Sequence, residues 1–382
     1  MNILMVCTEK LPVPNIKGGA IQTYIDGISS ILAKYHTITI LGRSDPDLPN
    51  SQIVDGIRYE RVESYGSLDV YLSGVIDFLE QSQEQYDIIH IFNRPRLVLP
   101  IRRVAPNSRL ILSMHNDMFK PEKLNHQEGT EVVDALDTII TISNYIGHAI
   151  MQYYPQAEPK LRTIYSGVDL NKFIPWEMSS EALHIRENLR AEYNLDSKKV
   201  ILYAGRISQK KGPHVLIKSL SHLQHSDTAL VIAGASWYND HSITDYVAYI
   251  RAVAKRSPIP IITTGYIQAN EIHKWFYVGD IFVCSSIWEE PLARVHYEAM
   301  ASGLPFITTA RGGNPEIINN NNGLLVNNPE DPLEYANNIN KLFSNMDSAR
   351  EMGRRGRKLA ENLYSWENVA RNVLAVWDNS SS

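Results

Sequence analysis

Short, nearly continuous apolar runs recur along the chain and alternate with longer stretches whose apolar residues fall at helical spacing. The runs at 2–7, 37–42, 56–62, 87–92, 108–114, 137–142 and 161–165 predict strands, and helical spacing near 19–34, 69–84, 127–136 and 143–153 predicts helices between several of them. Strands apolar on both faces and separated by helices belong to a parallel sheet covered on both sides. The alternation pauses over 166–197, where Pro175 precedes a polar, helix-prone segment rich in Glu, Arg and Asn. It restarts with strands at 199–204, 229–233, 260–264, 280–284, 305–308 and 323–326. Helices at 333–344, 346–363 and 366–378 close the chain, with Pro329 and Pro332 marking their entry. The pattern predicts an α/β chain of two Rossmann-like, doubly wound parallel-sheet domains, 1–175 and 176–365.

In such domains ligands bind beyond the carboxyl ends of the strands, and two domains facing each other would place those ends on either side of one cleft. Two segments stand there with chemistry-bearing residues. Gly205-Arg206-Ile207-Ser208-Gln209-Lys210-Lys211-Gly212-Pro213 follows the strand at 199–204, and Pro213 suits the first residue of a helix. Two cations beside helix N–H groups make a cradle for a pyrophosphate; a solvated basic turn would read the same way. No Gly-Lys-Ser/Thr follows, so this is not a Walker A loop.

The second segment, Trp288-Glu289-Glu290-Pro291 through Glu298 to Gly303-Leu304-Pro305, follows the strand at 280–284. Pro291 predicts a helix start and Gly303 its end. Over such a helix Glu290 and Glu298 would be separated by about 12 Å of rise and only about 80° of rotation. Carboxylates so spaced cannot share a proton or a small metal ion, but they can bracket a long polyhydroxylated ligand. An amphipathic helix with exposed acids is the plain alternative.

Taken together, Gly205-Arg206-x4-Lys211-Gly212 and Glu290-Pro291-x6-Glu298-Ala299-Met300-Ala301-x-Gly303-Leu304-Pro305 resemble the family-4 retaining glycosyltransferases of GT-B fold. Tyr165-Ser166-Gly167-Val168-Asp169-x3-Phe173 looks like that family's entry to the interdomain linker. Gly18-Gly19 looks like its glycine loop, and Gly312-Gly313-Asn314-Pro315-Glu316 sits where the family has a similar segment. The likeness runs along nearly the whole chain, and residues 9–20 and 290–301 resemble more narrowly the spore-coat type found in spore-forming bacilli.

The resemblance implies transfer from a nucleotide-sugar with retention of configuration and without a catalytic metal or other cofactor, a UDP-sugar being the expected donor. It implies that Arg206 and Lys211 hold the pyrophosphate and stabilise the departing charge. Glu298 would clamp the ribose and Glu290 the sugar hydroxyls, while Pro291, Leu292, Ala293 and Arg294 would bring backbone N–H groups to sugar and phosphate. Tyr266 and Ile267, after the strand at 260–264, would face the base. The last helix, 366–378, would cross back to the first domain. This chain departs from the family's commonest pattern with Ala293 where Gly is usual and Arg294 where an aliphatic residue is usual; Arg294 either adds a cation beside the phosphates or turns to an acidic neighbour.

Gly18 and Gly19 lie between the first strand and the first helix, where glycine lets a ligand approach backbone closely; a flexible loop is the alternative. His115 ends the strand at 108–114, a position matching the family's cleft histidine, and is expected to position the transferred sugar. Asn93-Arg94-Pro95-Arg96 follows the strand at 87–92 and would suit an anionic or sugar acceptor, or simply a basic helix start on the surface. Lys10 and Lys17 carry the same ambiguity. Asp45-Pro46-Asp47 spells the Asp-x-Asp of metal-dependent sugar transferases, but its flanks read as a turn.

Composition trims the remaining classes. The 382 residues are 44 % apolar and 21 % charged, which excludes global disorder. A net charge of −5 argues against a chain-wide nucleic-acid footprint. Cys7 and Cys284 are too few for a disulfide framework or a structural zinc site, pointing to a reducing, cytoplasmic setting. No apolar run is long enough for a transmembrane helix and the start lacks a basic leader, so no transmembrane segment or signal peptide is expected. Peripheral membrane contact, association with the spore coat, and an acceptor that is glycan, lipid or protein all stay open. Two other functions stand beside transfer: a coat or scaffold protein that kept the fold and lost the chemistry, and a nucleotide-sugar epimerase of the same architecture.

Overall fold

The computed structural model describes residues 1–235 and 244–378, which fall into two compact units. One holds Met1–Gly167 together with the C-terminal stretch from Trp366; the other is Val168–Ser365. The division comes earlier than the 175/176 boundary read from the sequence. Val168 pairs with Ser365, Phe173 meets Phe276 edge-on at 5.3 Å, and the Arg357 guanidinium donates to the Phe173 carbonyl at 2.8 Å.

In the first unit β1 (Asn2–Val6), β2 (Thr37–Arg43), β3 (Ser51–Val54), β4 (Ile57–Val62), β5 (Ile88–Phe92), β6 (Arg109–Met114), β7 (Thr138–Thr141) and β8 (Leu161–Thr163) form one sheet in the order β3-β4-β2-β1-β5-β6-β7-β8. Neighbours are parallel except β3 and β4. Ile3, Leu4, Met5 and Val6 are wholly buried, as a central strand covered on both faces requires. The edge strand β3 is an addition to the predicted pattern. It presents no buried face, since Ile53 and Val54 are exposed, and it is held by a hairpin at Asp55-Gly56, both at positive φ.

The helix Trp366–Asp378 belongs to this unit and packs on the helix Ala20–Leu32. Its buried face is Val369, Ala370, Val373 and Trp377. Gly27 and Gly167 leave room for the Trp366 ring; a Cβ at either would lie within 2.4 Å of ring carbons. The Trp377 indole N–H, which can only donate, reaches Nδ1 of buried His90 at 3.3 Å, and Nε2 of that ring lies 2.7 Å from the Ser113 hydroxyl. His90 is therefore neutral with its proton on Nε2. Arg109 donates to the carbonyls of Trp377 (2.6 Å) and Val376 (3.2 Å), closing the helix end.

In the second unit β9 (Lys199–Ala204), β10 (Thr228–Ala233), β11 (Ile261–Gly265), β12 (Ile281–Val283), β13 (Phe306–Thr309) and β14 (Gly323–Val326) form a parallel sheet in the order β11-β10-β9-β12-β13-β14. Each sheet thus reverses direction once, between β1 and β5 and between β9 and β12. The carboxyl ends of those strands flank the crevice in which open α/β sheets bind ligands. Among the described residues no helix is long and apolar enough to cross a membrane.

Burial depresses His90 and His115 to about 3, with the neighbouring His115 adding to the effect on His90. An unfolded imidazole takes its proton near 6.5. Between those values the unfolded chain binds more protons than the native one, so stability falls as the pH falls, by up to ~1.4 kcal/mol per pH unit for each histidine. Urea unfolding followed by tryptophan fluorescence at pH 7, 6 and 5 should show the loss, and His90→Gln should reduce the slope by about one proton. A variant with the parental slope would sink the assignment of a neutral His90.

Candidate functional site

The loop after β9 is laced to the loop after β12, the two strands that flank the second sheet's reversal. A short 3-10 turn, Gln209–Lys211, ends at Gly212, which has φ +64, and Pro213 opens the helix Pro213–Ser219. A Cβ at Gly212 would sit 2.1 Å from the Ser285 carbonyl oxygen. The Ser285 hydroxyl donates to the Lys211 carbonyl at 2.9 Å, and the Ile287 N–H donates to the Lys210 carbonyl at 2.9 Å. The Arg206 carbonyl accepts from Tyr203 Oη at 2.8 Å.

This lacing brings Lys211 onto Glu290, whose Oε2 accepts from Lys211 Nζ (2.6 Å), Trp288 Nε1 (2.8 Å) and Ser286 Oγ (2.9 Å). Burial alone would push the Glu290 carboxyl up; Lys211, with the Ser286 and Trp288 donors, holds it below the usual carboxylate value. An ionised carboxylate and an ammonium group thus share one buried corner. It can accept from hydroxyls and attract phosphate at neighbouring points.

The helix expected from Pro291 begins instead at Val295. Residues 291–294 form a turn that leads into the helix, where the Arg294 carbonyl accepts the N–H groups of Tyr297 (3.0 Å) and Glu298 (3.4 Å), while the N–H of Ala293 is used outside the helical ladder. The Ala293 N–H donates to Asn314 Oδ1 at 3.2 Å, and the Ala293 carbonyl lies 2.8 Å from His296 Nδ1. The Gly313 N–H donates to the Glu290 carbonyl at 2.7 Å, and a Cβ at Gly312 would come within 1.9 Å of that oxygen. Glu290 and Glu298 are therefore not eight residues apart on one helix; Glu290 lies just before the turn and Glu298 on the helix. Of the four residues expected to offer backbone N–H groups, Pro291 has none and that of Ala293 is taken by Asn314. Pro291, Leu292 and Ala293 are buried. Arg294 turns to an acidic neighbour, Nη2 meeting Glu298 Oε1 at 2.7 Å. Tyr266 and Ile267 follow β11 and are half-buried, with Lys172 Nζ donating to the nearby Ala269 carbonyl at 3.1 Å.

In the first unit Gly18 and Gly19 follow β1 at φ +85 and +110. Gly19 caps the helix Ala20–Leu32, whose first turn has neither a capping side chain nor an acidic residue. His115 follows β6. Its backbone N–H and that of Asn116 both donate to Asn93 Oδ1, at 3.1 and 2.9 Å, and the Tyr24 ring meets the imidazole edge-on at 4.9 Å. His115 is 93 % buried, and Nε2 has no hydrogen-bond partner among the described residues.

Arg94 is neither an open acceptor site nor a surface helix start. It is buried and paired with Glu9 through two bonds, Nε to Oε2 at 2.5 Å and Nη2 to Oε1 at 2.8 Å. Arg96 is exposed and lies 3.8 Å from Glu128. Lys17 is held by Asp45 at 2.6 Å, and Arg43 reaches the same carboxylate at 3.2 Å, so Asp45 serves as an ion-pair hub. Sequence reasoning gave no role to Ser286, His296 or Glu9, and named Asn93 and Asn314 only as members of longer segments. Asn93 carries a local signal, an Asn just past a strand, where its φ of +54 suits that residue type.

The family model for glycosyl transferases group 1 matches residues 185–359, and that for glycosyltransferase family 4 matches residues 18–172. The chain is 38 % identical to spore coat protein SA of Bacillus subtilis (strain 168), covering all of both chains. It is 40 % identical to the putative glycosyltransferase YtcC of the same organism, covering 99 % of this chain and 92 % of YtcC. Anabaena Alr3699/HepE in complex with UDP-glucose superposes with a TM-score of 0.78 at 19 % identity, over 99 % of this chain and all of that one. Sucrose-phosphate synthase from Thermosynechococcus elongatus gives 0.79 at 20 % identity, over 99 % of each chain. Both structures share the two-domain GT-B fold with this chain.

The lacing of the two loops is testable without a ligand. Gly212→Ala places a Cβ against the Ser285 carbonyl at a backbone angle unfavourable to L-residues, and should lower stability by about 2 kcal/mol or more. Gly56→Ala is also at positive φ, but its Cβ meets nothing within 4 Å, and it should cost about 1 kcal/mol. Equal midpoints for the two variants in urea unfolding would contradict the close approach.

Proposed function

The chain belongs to the group 1 and family 4 glycosyltransferases, and we propose that it moves a sugar from a nucleoside-diphosphate sugar to an acceptor with retention of configuration and without a catalytic metal. The observation that carries this reading is the Lys211–Glu290 pair at the reversal of the second sheet. A cation is needed where negative charge grows on a departing diphosphate, and a buried acceptor is needed for sugar hydroxyls. Here they adjoin.

Lys211 and Arg206 bind the diphosphate and stabilise its charge as the bond to the anomeric carbon breaks. Glu290 accepts hydrogen bonds from the transferred sugar, and Glu298 from the ribose through the oxygen that Arg294 does not hold. The turn Pro291–Arg294 supports sugar and phosphate, and Tyr266 and Ile267 lie against the base. Gly18 and Gly19 admit the diphosphate close to backbone. Neutral His115 holds a sugar hydroxyl through Nε2. It acts as a positioning donor or acceptor and not as a nucleophile. The bond from acceptor oxygen to anomeric carbon forms on the face the diphosphate leaves, and the acceptor proton passes to a diphosphate oxygen.

UDP-glucose in the HepE structure supports a UDP-sugar as donor. The likeness to spore coat protein SA supports a product that enters spore coat or surface glycan, made by an enzyme that we place in the cytoplasm.

Thermal unfolding with UDP, GDP, ADP, CMP and TDP tests the donor class. A nucleotide at 100 times its Kd should stabilise the protein by about 2.7 kcal/mol. Lys211→Ala and Arg206→Ala should each lower turnover of the matching nucleotide-sugar by ~10²-fold or more with unchanged circular dichroism. EDTA should leave turnover unaltered, and proton NMR of the first product should show the donor's anomeric configuration. Parental turnover in both variants would overturn the site. No shift with any nucleotide would favour a scaffold, and an epimerised sugar from donor alone would replace transfer by epimerisation.

A further inference from the structure

His296 is wholly buried, its ring tilted against that of Phe306 at 5.6 Å, and engaged on both ring nitrogens. Nδ1 lies 2.8 Å from the Ala293 carbonyl and Nε2 lies 2.7 Å from the Thr308 hydroxyl. A carbonyl cannot donate, so Nδ1 carries a proton. Thr308 lies on β13, which is paired on both sides by β12 and β14, so the ring is fastened to an interior strand. The other end of Ala293 is fastened to the same strand less directly. Its N–H donates to Asn314 Oδ1, and Asn314 Nδ2 reaches the hydroxyl of Thr309 at 3.4 Å.

A trans peptide is planar, with its C=O and N–H pointing in opposite directions. Holding the Ala293 carbonyl against buried His296 therefore fixes the Arg294 N–H to point away from that ring. Nothing in the propensity of Pro291–Arg294 demands this. The turn precedes the first residue of the helix, and besides the ring the Ala293 carbonyl accepts only the backbone N–H of His296 among the bonds of the described residues, at a longer 3.3 Å.

We propose that His296 is a positioning residue of the donor site: by holding the Ala293 carbonyl it sets the direction in which the Arg294 N–H meets a nucleoside-diphosphate sugar. This rests on the donor reading above.

The two ring nitrogens can be imitated one at a time in the full-length chain. The side-chain amide of His296→Asn replaces Nδ1 and keeps the Ala293 bond. That of His296→Gln reaches the Nε2 position and keeps only Thr308. Thr308→Val removes the Nε2 partner and leaves Ala293 held. Two readouts apply: amide hydrogen exchange over residues 289–296 without ligand, and calorimetric Kd for whichever of UDP, GDP and ADP stabilises the parent.

His296→Asn and Thr308→Val should keep parental exchange and a Kd within about threefold. His296→Gln should exchange faster at Ala293 and Arg294 and bind about tenfold more weakly. Asn and Gln variants that behave alike in both readouts overturn the proposal. So does a Thr308→Val protein that binds as weakly as expected for His296→Gln, a comparison that holds even where the Gln variant does not fold. Faster exchange with unchanged affinity in His296→Gln overturns the donor role alone. A parent that binds none of the three nucleotides overturns the donor reading and, with it, this assignment.

Discussion

A carboxylate taken out of water must find cations and hydrogen-bond donors or give up its charge, and the ligand end of the second unit is arranged around that requirement at Glu290. The three donors on its Oε2 come from Lys211 in the loop after β9 and from Ser286 and Trp288 in the loop after β12. Neither loop could satisfy it alone. Gly212 and Gly312 have no Cβ because backbone passes where it would stand, in one case the Ser285 carbonyl and in the other that of Glu290 itself. The close contact of these loops is what turns a crevice between two strands into a defined charge pattern.

The first unit meets the same requirement by a different arrangement. Glu9, just past β1, is buried and receives both arms of the Arg94 guanidinium, so that burial, which would raise its carboxyl, is outweighed and it stays below the ordinary value. Bidentate geometry suits arginine and would not be reproduced by lysine. Asn93, the residue before Arg94, turns back to accept the backbone N–H groups of His115 and Asn116. The Arg94 Nη1 donates to the Asn93 carbonyl at 2.8 Å, which ties the ion pair to that turn. The ion pair just past β1 and β5 and the placement of His115 just past β6, whose Nε2 has no hydrogen-bond partner among the described residues, are thus consecutive links in one chain of contacts.

Much of the fold was legible because a parallel sheet writes itself as apolar runs. Every predicted strand overlaps an observed one, since burial on both faces leaves little freedom of composition. The edge strand β3 escaped because an exposed edge needs no such run. Its signal was the Asp55-Gly56 turn, where two positive φ angles suit exactly those residue types. The start of the helix after Pro291 was misread for a different reason. Proline at a first helical turn is a local preference, whereas the observed start is set by Asn314 and His296 capturing Ala293, contacts that span 21 and 3 residues. Arg94 shows the same limit. A strand-end arginine is equally suited to an open anion site or a buried partner, and only Glu9, 85 residues away in sequence, decides between them.

The Arg294–Glu298 contact bears on the chain's departure from its family's commonest pattern. Both residues lie at one helical spacing, where opposite charges meet across a single turn. On an exposed face such a pair is worth a few tenths of a kcal/mol, but Glu298 is 93 % buried, and a buried carboxylate without a partner is strongly unfavourable. An aliphatic residue at 294 would leave that carboxylate to be satisfied by other groups or by the ligand. Arginine instead holds one oxygen in advance, through a guanidinium whose fork limits how the carboxylate can turn. A ligand hydroxyl that approached Glu298, as in the proposed donor site, would meet an acceptor already oriented and lose less freedom on binding. Pre-orientation by Arg294 at the end of the turn and by His296 in the first turn of the helix act on adjacent parts of one short segment. It is the segment in which Ala293 and Arg294 stand where the resembled family's expected pattern has glycine and an aliphatic residue, and Arg294 is held there by Glu298.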